Sequence, residues 1–298
     1  MKYMNMKRYR NILAMAVLAI TSGFLFASCS SEDANGEKTA TGKSPLKINV
    51  AGVATTKSFF EGNMLPDECE YYIFLHNDGM DLNNSDIPVQ YAKGESRISR
   101  PVFITRESTV GAVYCDRNKV VVDGNVIVLN TTDQQDVLVA YSNVIPSYPE
   151  VSLMFKHIMS RVSLRITKSA DNNRMYDKFG TAEVVDAPLG YYYLFSDKVT
   201  PINNQYTTLK VEPKDKSYIE TATDVVEYDF LMLPQSSFEL KMNVNCSSFN
   251  STIYFSRFTL LPGNKYVLDA VIKGNDLEIQ SVSVEPWASE SHDISIEI

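Results

Sequence analysis

Histidine and carboxylate side chains would carry acid–base or metal chemistry, and in this sequence their spacing is unsuited to it. The chain has three histidines, His76, His157 and His292, and none has Cys, Asp or Glu at metal-ligand spacing. His157 follows Lys156 and precedes apolar residues, so we expect a packed or capping side chain. The sequence also lacks a Gly-x-Ser-x-Gly motif, a P-loop and a dinucleotide fingerprint. We therefore predict that the protein is not an enzyme and uses no cofactor or metal.

Cys29 is the residue whose surroundings do predict chemistry. A basic stretch that ends at Arg10 precedes an apolar run of about 15 residues, Ile12 to Phe26, which suits a signal peptide and is short for a bilayer span. Phe26-Ala-Ser-Cys29 follows in the order of a bacterial lipoprotein signal. We predict cleavage before Cys29 and lipid on its thiol; a plain secretory signal or a short anchor helix are the alternatives. Residues 1–28 are then the signal peptide, and residues 29–44 a polar tether.

The remaining composition excludes nucleic acid as a partner. The net charge is −8 and the pI about 5.0, so the chain has no basic footprint. Apart from Cys29, three cysteines remain: Cys69, Cys115 and Cys246. Either Cys69 bridges Cys115, because both lie in the first half, or all three are free thiols.

The elements around these residues are predicted to be strands. Short runs alternate apolar and polar residues from residue 45 onward, as in Leu46 to Val50 and Val162 to Ile166, and Asp123-Gly124 predicts a hairpin turn. Many such runs indicate an all-β chain of β-sandwiches. We expect one short helix near residues 155–161. The prolines within residues 142–150 predict a linker, hence an N-terminal domain at residues 45–148 and a C-terminal domain at 149–298. Tyr191 to Tyr193 should alternate between core and solvent, although a sugar-stacking surface is the alternative.

Several segments together resemble the fimbrillin family of Bacteroidota. The central feature is Asp136-Val-Leu-Val-Ala140 followed by Phe155-Lys-His157 and Arg161-Val162. Further segments resemble the family's first strand and cleavage loop, its "L-P-Q" strand, its "F-x-x-G-x-x-Y" motif and its closing tryptophan motif. These are residues 48–62, 231–235, 258–266 and 284–287.

The resemblance implies two transthyretin-like, Greek-key sandwich domains and a route of assembly. A lipidated precursor reaches the outer membrane, a trypsin-like protease cuts after a basic residue, and the first strand leaves. A strand of another subunit then fills the groove. Lys57 is the favoured cut, with a solvated loop lysine as the alternative.

Two segments have the alternation that strand exchange needs. Leu46, Ile48 and Val50 would form the displaced first strand. Ile294, Ile296 and Ile298 would form the donor strand, or else an ordinary last strand of their own domain.

The resemblance thus predicts a stalk or tip subunit of a surface fimbrium that supports adhesion and biofilm formation. Its partners would be other fimbrial subunits, the outer membrane before processing, and a host or bacterial surface receptor. A lipid-retained fimbrial anchor is one alternative. Another is a carbohydrate-binding lipoprotein of a glycan-uptake system, in which exposed tryptophans should stack on sugars; this chain has only Trp287.

Overall fold

Strands dominate the computed structural model, which describes residues 44–53, 65–77, 80–81, 86–169, 172, 176–287 and 294–295. These residues belong to one compact unit. Within them, no helix is long and apolar enough to cross a bilayer, and the all-β prediction is confirmed. The strands are β1 Lys47–Val53, β2 Cys69–Asn77, β3 Met80–Asp81, β4 Ile87–Ala92, β5 Glu95–Ile98, β6 Ser108–Tyr114, β7 Val121–Asp123, β8 Val126–Asn130, β9 Leu138–Val144, β10 Glu150–His157, β11 Ser160–Lys168, β12 Asp177–Lys178, β13 Ala182–Tyr193, β14 Lys198–Val211, β15 Tyr218–Ile219, β16 Val226–Met232, β17 Gln235–Asn245, β18 Asn250–Leu260, β19 Asn264–Lys273, β20 Asp276–Pro286 and β21 Ile294–Ser295.

The first region is a curled sheet. Its described strands follow the order β1-β10-β9-β6-β2-β4-β5, with β3 added to β2. The sheet curls until its end strands β1 and β5 approach each other without pairing, so one face encloses an apolar interior, the first core. The first core consists of Leu46, Ile48, Val50, Val53, Leu65, Tyr71, Ile73, Ile87, Val89, Tyr91, Val102, Ile104, Val110, Ala112, Leu138, Ala140, Val144, Val151, Leu153 and Phe155.

The second region is a sandwich of two sheets. One has the order β16-β11-β19-β20-β21, and the other has β18-β17-β13-β8-β7 with β14 on β13. Apolar side chains of both sheets form the second core between them, for example Leu164, Phe230 and Leu268 of the first sheet and Leu240 and Met242 of the other. The short pair β12–β15 forms a separate two-stranded sheet, and Ile219 of β15 packs in the second core.

A third apolar cluster, the joint core, draws on strands of both regions. Leu194 of this core packs directly against Gly111 on β6. A Cβ at position 111 would lie only 2.6 Å from Cδ2 of Leu194, so any larger residue would force that side chain to shift. The joint core consists of Phe74, Val113, Cys115, Val120, Ile127, Leu129, Val137, Val139, Ile158, Met159, Tyr192, Leu194, Leu231, Leu233 and Trp287.

A polar cluster around Asp197 also links the two regions. Tyr141 of β9 donates a hydrogen bond to Asp197 Oδ2 at 3.0 Å, and Tyr192 of β13 donates to Oδ1 at 2.8 Å. Lys156 of β10 forms an ion pair with the same carboxylate. Burial acts to raise the pKa of Asp197, but the hydrogen bonds from Lys156, Tyr192 and Tyr141 outweigh it, so the pKa lies below its ordinary value.

Two local predictions are confirmed by the strands. The hairpin at Asp123-Gly124 joins β7 and β8, which pair from Val121 with Val128 to Asp123 with Val126. Within the tyrosine run, Tyr192 is buried while both neighbours are half-buried, which is the predicted alternation.

The helix prediction is wrong, and the linker prediction missed a connection within one sheet. Residues 155–161 form no helix, because β10 continues to His157 and β11 begins at Ser160. Residues 142–150 connect β9 and β10 within one sheet, a connection that the linker prediction did not anticipate, and the domain boundary at 148/149 stays a prediction. The chain enters the second region's sheet with β7 and β8, returns to the first region with β9 and β10, and passes to the second region again after His157.

Candidate strand-exchange site

The first strand is held along one edge. β1 runs parallel to β10, with pairs from Lys47 opposite Glu150 to Val53 opposite Phe155. Among the described strands β1 forms a ladder with β10 alone. Just before it, the Leu46 N–H donates to the carbonyl of Val102 at 2.7 Å. Parallel pairing is slightly weaker per residue than antiparallel pairing. β1 is therefore held by a single ladder of the weaker kind.

The side chains of β1 alternate as the sequence predicted. Leu46, Ile48 and Val50 are buried in the first core, whereas Lys47 and Asn49 are exposed. Burial of each aliphatic side chain contributes about 1.5–3 kcal/mol to folding. The first strand is therefore a structural part of the core and not a peripheral segment.

The neighbouring strand supplies the floor of the groove that β1 fills. Val151, Leu153 and Phe155 of β10 are buried in the first core. The Phe155 ring packs edge-on against Tyr71, with ring centroids 5.5 Å apart. Burial raises the pKa of Tyr71 to about 12, so its phenol stays neutral, and it donates a hydrogen bond to Ser96 Oγ at 3.0 Å. Without β1, this apolar floor and the backbone edge of β10 would face water.

The outer side of β1 also borders open space. A cleft of about 450 Å³ separates residues 45–49 from the turn and strand at residues 94–98. Asn49 lies on the exposed side and donates a hydrogen bond to Glu150 Oε1 at 2.8 Å. Solvent can therefore reach the first strand along one side of its length.

The predicted processing sites fall elsewhere in the sequence. Cys29 and Lys57 both lie outside the described residues. β1 ends at Val53 and the described chain begins again at Leu65, so Lys57 belongs to the segment between these two points. Lipidation at Cys29 and cleavage after Lys57 stay predictions.

The predicted donor segment lies against its own domain where the structure describes it. Ile294 pairs with Val284 and Ser295 pairs with Ser283, both in antiparallel orientation. This two-residue strand, β21, forms the edge of the sheet that contains β20. Ile296 and Ile298 lie outside the described residues. The structure therefore places Ile294 beside β20 and not beside β1 of the same chain.

His157 is a packed residue, as predicted. Its side chain is buried, its Nδ1 lies 2.7 Å from Asp136 Oδ1, and its ring lies 4.4 Å from that of Trp287. Asp136 begins the sequence motif described above, but its pairing with His157 was not predicted. The two residues lie 21 positions apart, so no local pattern connects them. The three residues connect the start of β9, the end of β10 and the end of β20.

The three described cysteines, Cys69, Cys115 and Cys246, are free thiols, so the second of the two predicted alternatives is confirmed and Cys69 does not bridge Cys115. The two side chains pack on different clusters: Cys69 packs against the first core and Cys115 belongs to the joint core. Burial raises the pKa of each of these two thiols to about 11. Within the described residues, no group of three or more His, Cys, Asp or Glu side chains is placed to hold a metal ion.

The fold thus defines an all-β protein of the sandwich class, with an edge strand that completes its first core. Residues 102–287, more than half of the chain, match the family described as fimbrillin-like. The chain belongs to that family. The matched range begins after β1, so it includes neither the first strand nor Cys29 or Lys57. No curated protein shows significant similarity to the chain.

Solved structures share the fold at low sequence identity. A candidate cell adhesion protein from Bacteroides uniformis has a TM-score of 0.59 and 13% identity, covering 84% of this chain and 100% of the other. One from Bacteroides ovatus has a TM-score of 0.57 and 14% identity, with 83% and 99% covered. A fimbrial protein from Bacteroides vulgatus has a TM-score of 0.50 and 11% identity, with 82% and 99% covered. At these identities the similarity supports the fold alone.

Proposed function

We propose that the chain is a structural and adhesive subunit, stalk or tip, of a cell-surface fimbrium. The observation that carries this proposal is β1, a parallel edge strand with one ladder partner whose side chains fill the first core. Membership of the fimbrillin-like family and the described roles of the similar structures, fimbrial and cell adhesion, support it. The subunit would act by assembly and adhesion, including biofilm formation, and not by catalysis.

The proposed precursor is a lipoprotein. Lipid on Cys29 would hold it at the outer membrane, and a trypsin-like protease would cut after Lys57, in the segment that follows β1. The cut would separate β1 and the lipid from the rest of the chain. Noncovalent contacts would then retain β1, chiefly the pairing with β10, the burial of its apolar side chains and the hydrogen bond from the Leu46 N–H to Val102.

Strand exchange would follow from the physical state of the emptied groove. The exposed edge of β10 has free backbone hydrogen-bonding groups, and Val151, Leu153 and Phe155 form an apolar floor. An added strand would pair with the backbone groups of β10 and also cover the apolar floor, provided that apolar side chains occupy every second position. Ile294, Ile296 and Ile298 of another subunit have that spacing. The proposed donor would first separate from β20, where its described part forms only two residue pairs.

Limited trypsin treatment of the full-length protein tests this route. A stalk subunit should be cut near Lys57, release a lipidated fragment and form SDS-resistant ladders, which should be absent when residues 294–298 are deleted. A Lys57→Gln variant is the matched control and should stay uncut and monomeric. Persisting monomer after a clean cut would indicate a tip subunit, and resistance to trypsin would indicate a lipid-retained anchor. Ladders that form without any cut would contradict strand exchange.

The glycan-uptake alternative calls for exposed tryptophans, and Trp287 is not one. The only tryptophan of the sequence, Trp287, is 2% exposed and packs on His157 in the joint core. It therefore cannot offer a ring face to a sugar while the fold is intact.

A further inference from the structure

The second region contains an open cleft on the outer face of its larger sheet. We call it the outer cleft and define it by Asp186, Tyr206, Gln235, Glu239, Lys241 and Tyr254, which line a volume of about 770 Å³. It lies across β14, β13, β17 and β18, which are neighbours in that order. None of these strands belongs to the proposed strand-exchange site, which lies on β1 and β10. Strand exchange therefore does not involve the cleft.

The cleft exists because two strands separate. β13 and β17 pair only from Glu183 opposite Asn243 to Val185 opposite Lys241. The chain then bulges at Asp186, whose φ of 60° is unusual for a non-glycine residue. From Leu189 onward β13 pairs with β8 instead. A gap therefore remains between β13 and the first half of β17.

Two exposed tyrosines stand on opposite sides of this gap. Tyr206 of β14 is 60% exposed and Tyr254 of β18 is 68% exposed, although both rings are large. Lys241 lies over the Tyr254 ring, with its Nζ 5.8 Å from the centroid, which holds the ring by a cation–π contact. The negative face of a tyrosine ring attracts polarised C–H groups, such as those on one face of a pyranose.

The polar side chains between the rings suit hydroxyl groups. The carboxylates of Asp186 and Glu239 accept hydrogen bonds, Lys241 donates them, and Gln235 does both. Among these lining residues two negative charges face one positive charge. The excess disfavours sulfated or uronic-acid chains and favours neutral or amine-bearing ones.

The walls of the cleft are unsuited to an added peptide strand. Pro188 on β13 has no N–H to donate. On β17, register shifts occur between Gln235 and Phe238 and again between Phe238 and Glu239. A regular backbone ladder cannot form along such bulged edges, so side-chain recognition of a non-peptide ligand fits the cleft better.

We propose that the outer cleft binds a neutral or amine-bearing oligosaccharide, stacked on Tyr206 and Tyr254. Regularly paired strands lie about 4.8 Å apart, so four of them span about 14 Å, and the gap between β13 and β17 makes the cleft wider than that. A monosaccharide cannot reach both tyrosines across such a width, so the ligand is an oligosaccharide with one sugar against each ring. The site would give the subunit a glycan ligand, independently of how it enters a fibre.

The test uses the full chain in a detergent without sugar groups, labelled with 3-fluorotyrosine. The probes are cellotriose, mannotriose, triacetylchitotriose, chitosan trimer and, as the acidic comparison, trigalacturonate. Fluorine NMR resonances of Tyr206 and Tyr254 are assigned from the Tyr206→Phe and Tyr254→Phe variants. We expect at least one neutral or amine-bearing trimer to shift both resonances below about 10 mM, and trigalacturonate to shift neither.

Variants then locate the binding. Tyr206→Ala and Tyr254→Ala should each weaken binding about tenfold or more, which corresponds to about 1.4 kcal/mol. Tyr254→Phe keeps the ring and should change affinity less than about threefold. Tyr148→Ala removes a tyrosine of similar exposure, 62%, from a loop of the first region and should change nothing. The proposal is overturned if no neutral or amine-bearing trimer shifts the two resonances, if trigalacturonate binds best, or if the alanine variants bind as tightly as the parent.

Discussion

The first and last strands described in this chain are both edge strands, yet they contribute very differently to the fold. β1 pairs with β10 over most of its length and buries Leu46, Ile48 and Val50 in the first core. β21 consists of Ile294 and Ser295, paired with two residues of β20. The strand proposed to be removed is thus a structural part of its region, whereas the segment proposed to be donated is weakly held where it is described. An exchange of this kind needs both properties, because a vacated core drives the binding of a strand that separates easily from its own domain.

The largest effect should come from a cavity under β1. Ile48→Ala removes buried methyl groups from the first core and should lower the free energy of unfolding by about 2–5 kcal/mol. Urea unfolding followed by circular dichroism measures this. Asn49→Ala, on the exposed side of the same strand, is the matched control and should change it by less than about 0.5 kcal/mol. Equal losses for the two variants would show that β1 is not part of the core.

A smaller effect should come from the contact between the two regions. Asp197→Asn weakens the contacts with Lys156, Tyr141 and Tyr192. Because the carboxylate is partly exposed, the free energy of unfolding should fall by less than about 1 kcal/mol near pH 7. The pKa of Asp197 is lowered from its ordinary value of 3.8, so its stabilisation is present above that pH and is lost as the pH falls through the lower folded value.

Unfolding free energies of the parent and of Asp197→Asn, measured by urea titration, should therefore differ at pH 7 and converge as the pH falls below about 3.8. Asp123→Asn, at the exposed end of β7, is the control and should match the parent. A difference between the parent and Asp197→Asn that grows towards low pH would contradict the assigned role.

The smallest effect on stability should follow deletion of residues 294–298. The two residue pairs of β21 contribute little once the entropy of ordering this edge is included, so the monomer should lose less than about 1 kcal/mol. Thermal unfolding of the uncut monomer measures this separately from any effect on assembly. A loss as large as that of Ile48→Ala would show that β21 is an integral strand and an unsuitable donor.

Local alternation predicted strands such as those at Leu46 to Val50 and Val162 to Ile166, but residues of two different cores can together show a helical period. Phe155, Ile158 and Met159 have helical spacing in the sequence. Phe155 packs in the first core, whereas Ile158 and Met159 pack in the joint core, because the chain passes from one sheet to the other between them. A sequence window shows that the three residues are apolar but not which core each of them enters. Their spacing across the connection between β10 and β11 therefore resembled one face of a helix.

Long-range pairing was the part that could not be predicted. Asp123-Gly124 predicted the β7–β8 hairpin from local turn chemistry, yet β8 joins β13 of the second region, which no local signal reports. At the candidate site, the pattern of Leu46, Ile48 and Val50 predicted an apolar face, but not its parallel partner β10. Likewise, the outer cleft depends on where β13 separates from β17, and neither strand's sequence alone contains that information.

The contact between His157 and Trp287 has a mechanical consequence for a fibre of the proposed kind. A donated strand would lie along β10, which ends at His157, and Trp287 directly follows β20 on the way to the C-terminal segment. Tension between neighbouring subunits would therefore enter through β10, cross the joint core and leave near β20. Where the pull runs parallel to the donated strand, its hydrogen bonds with β10 would be loaded together in shear, not opened one at a time.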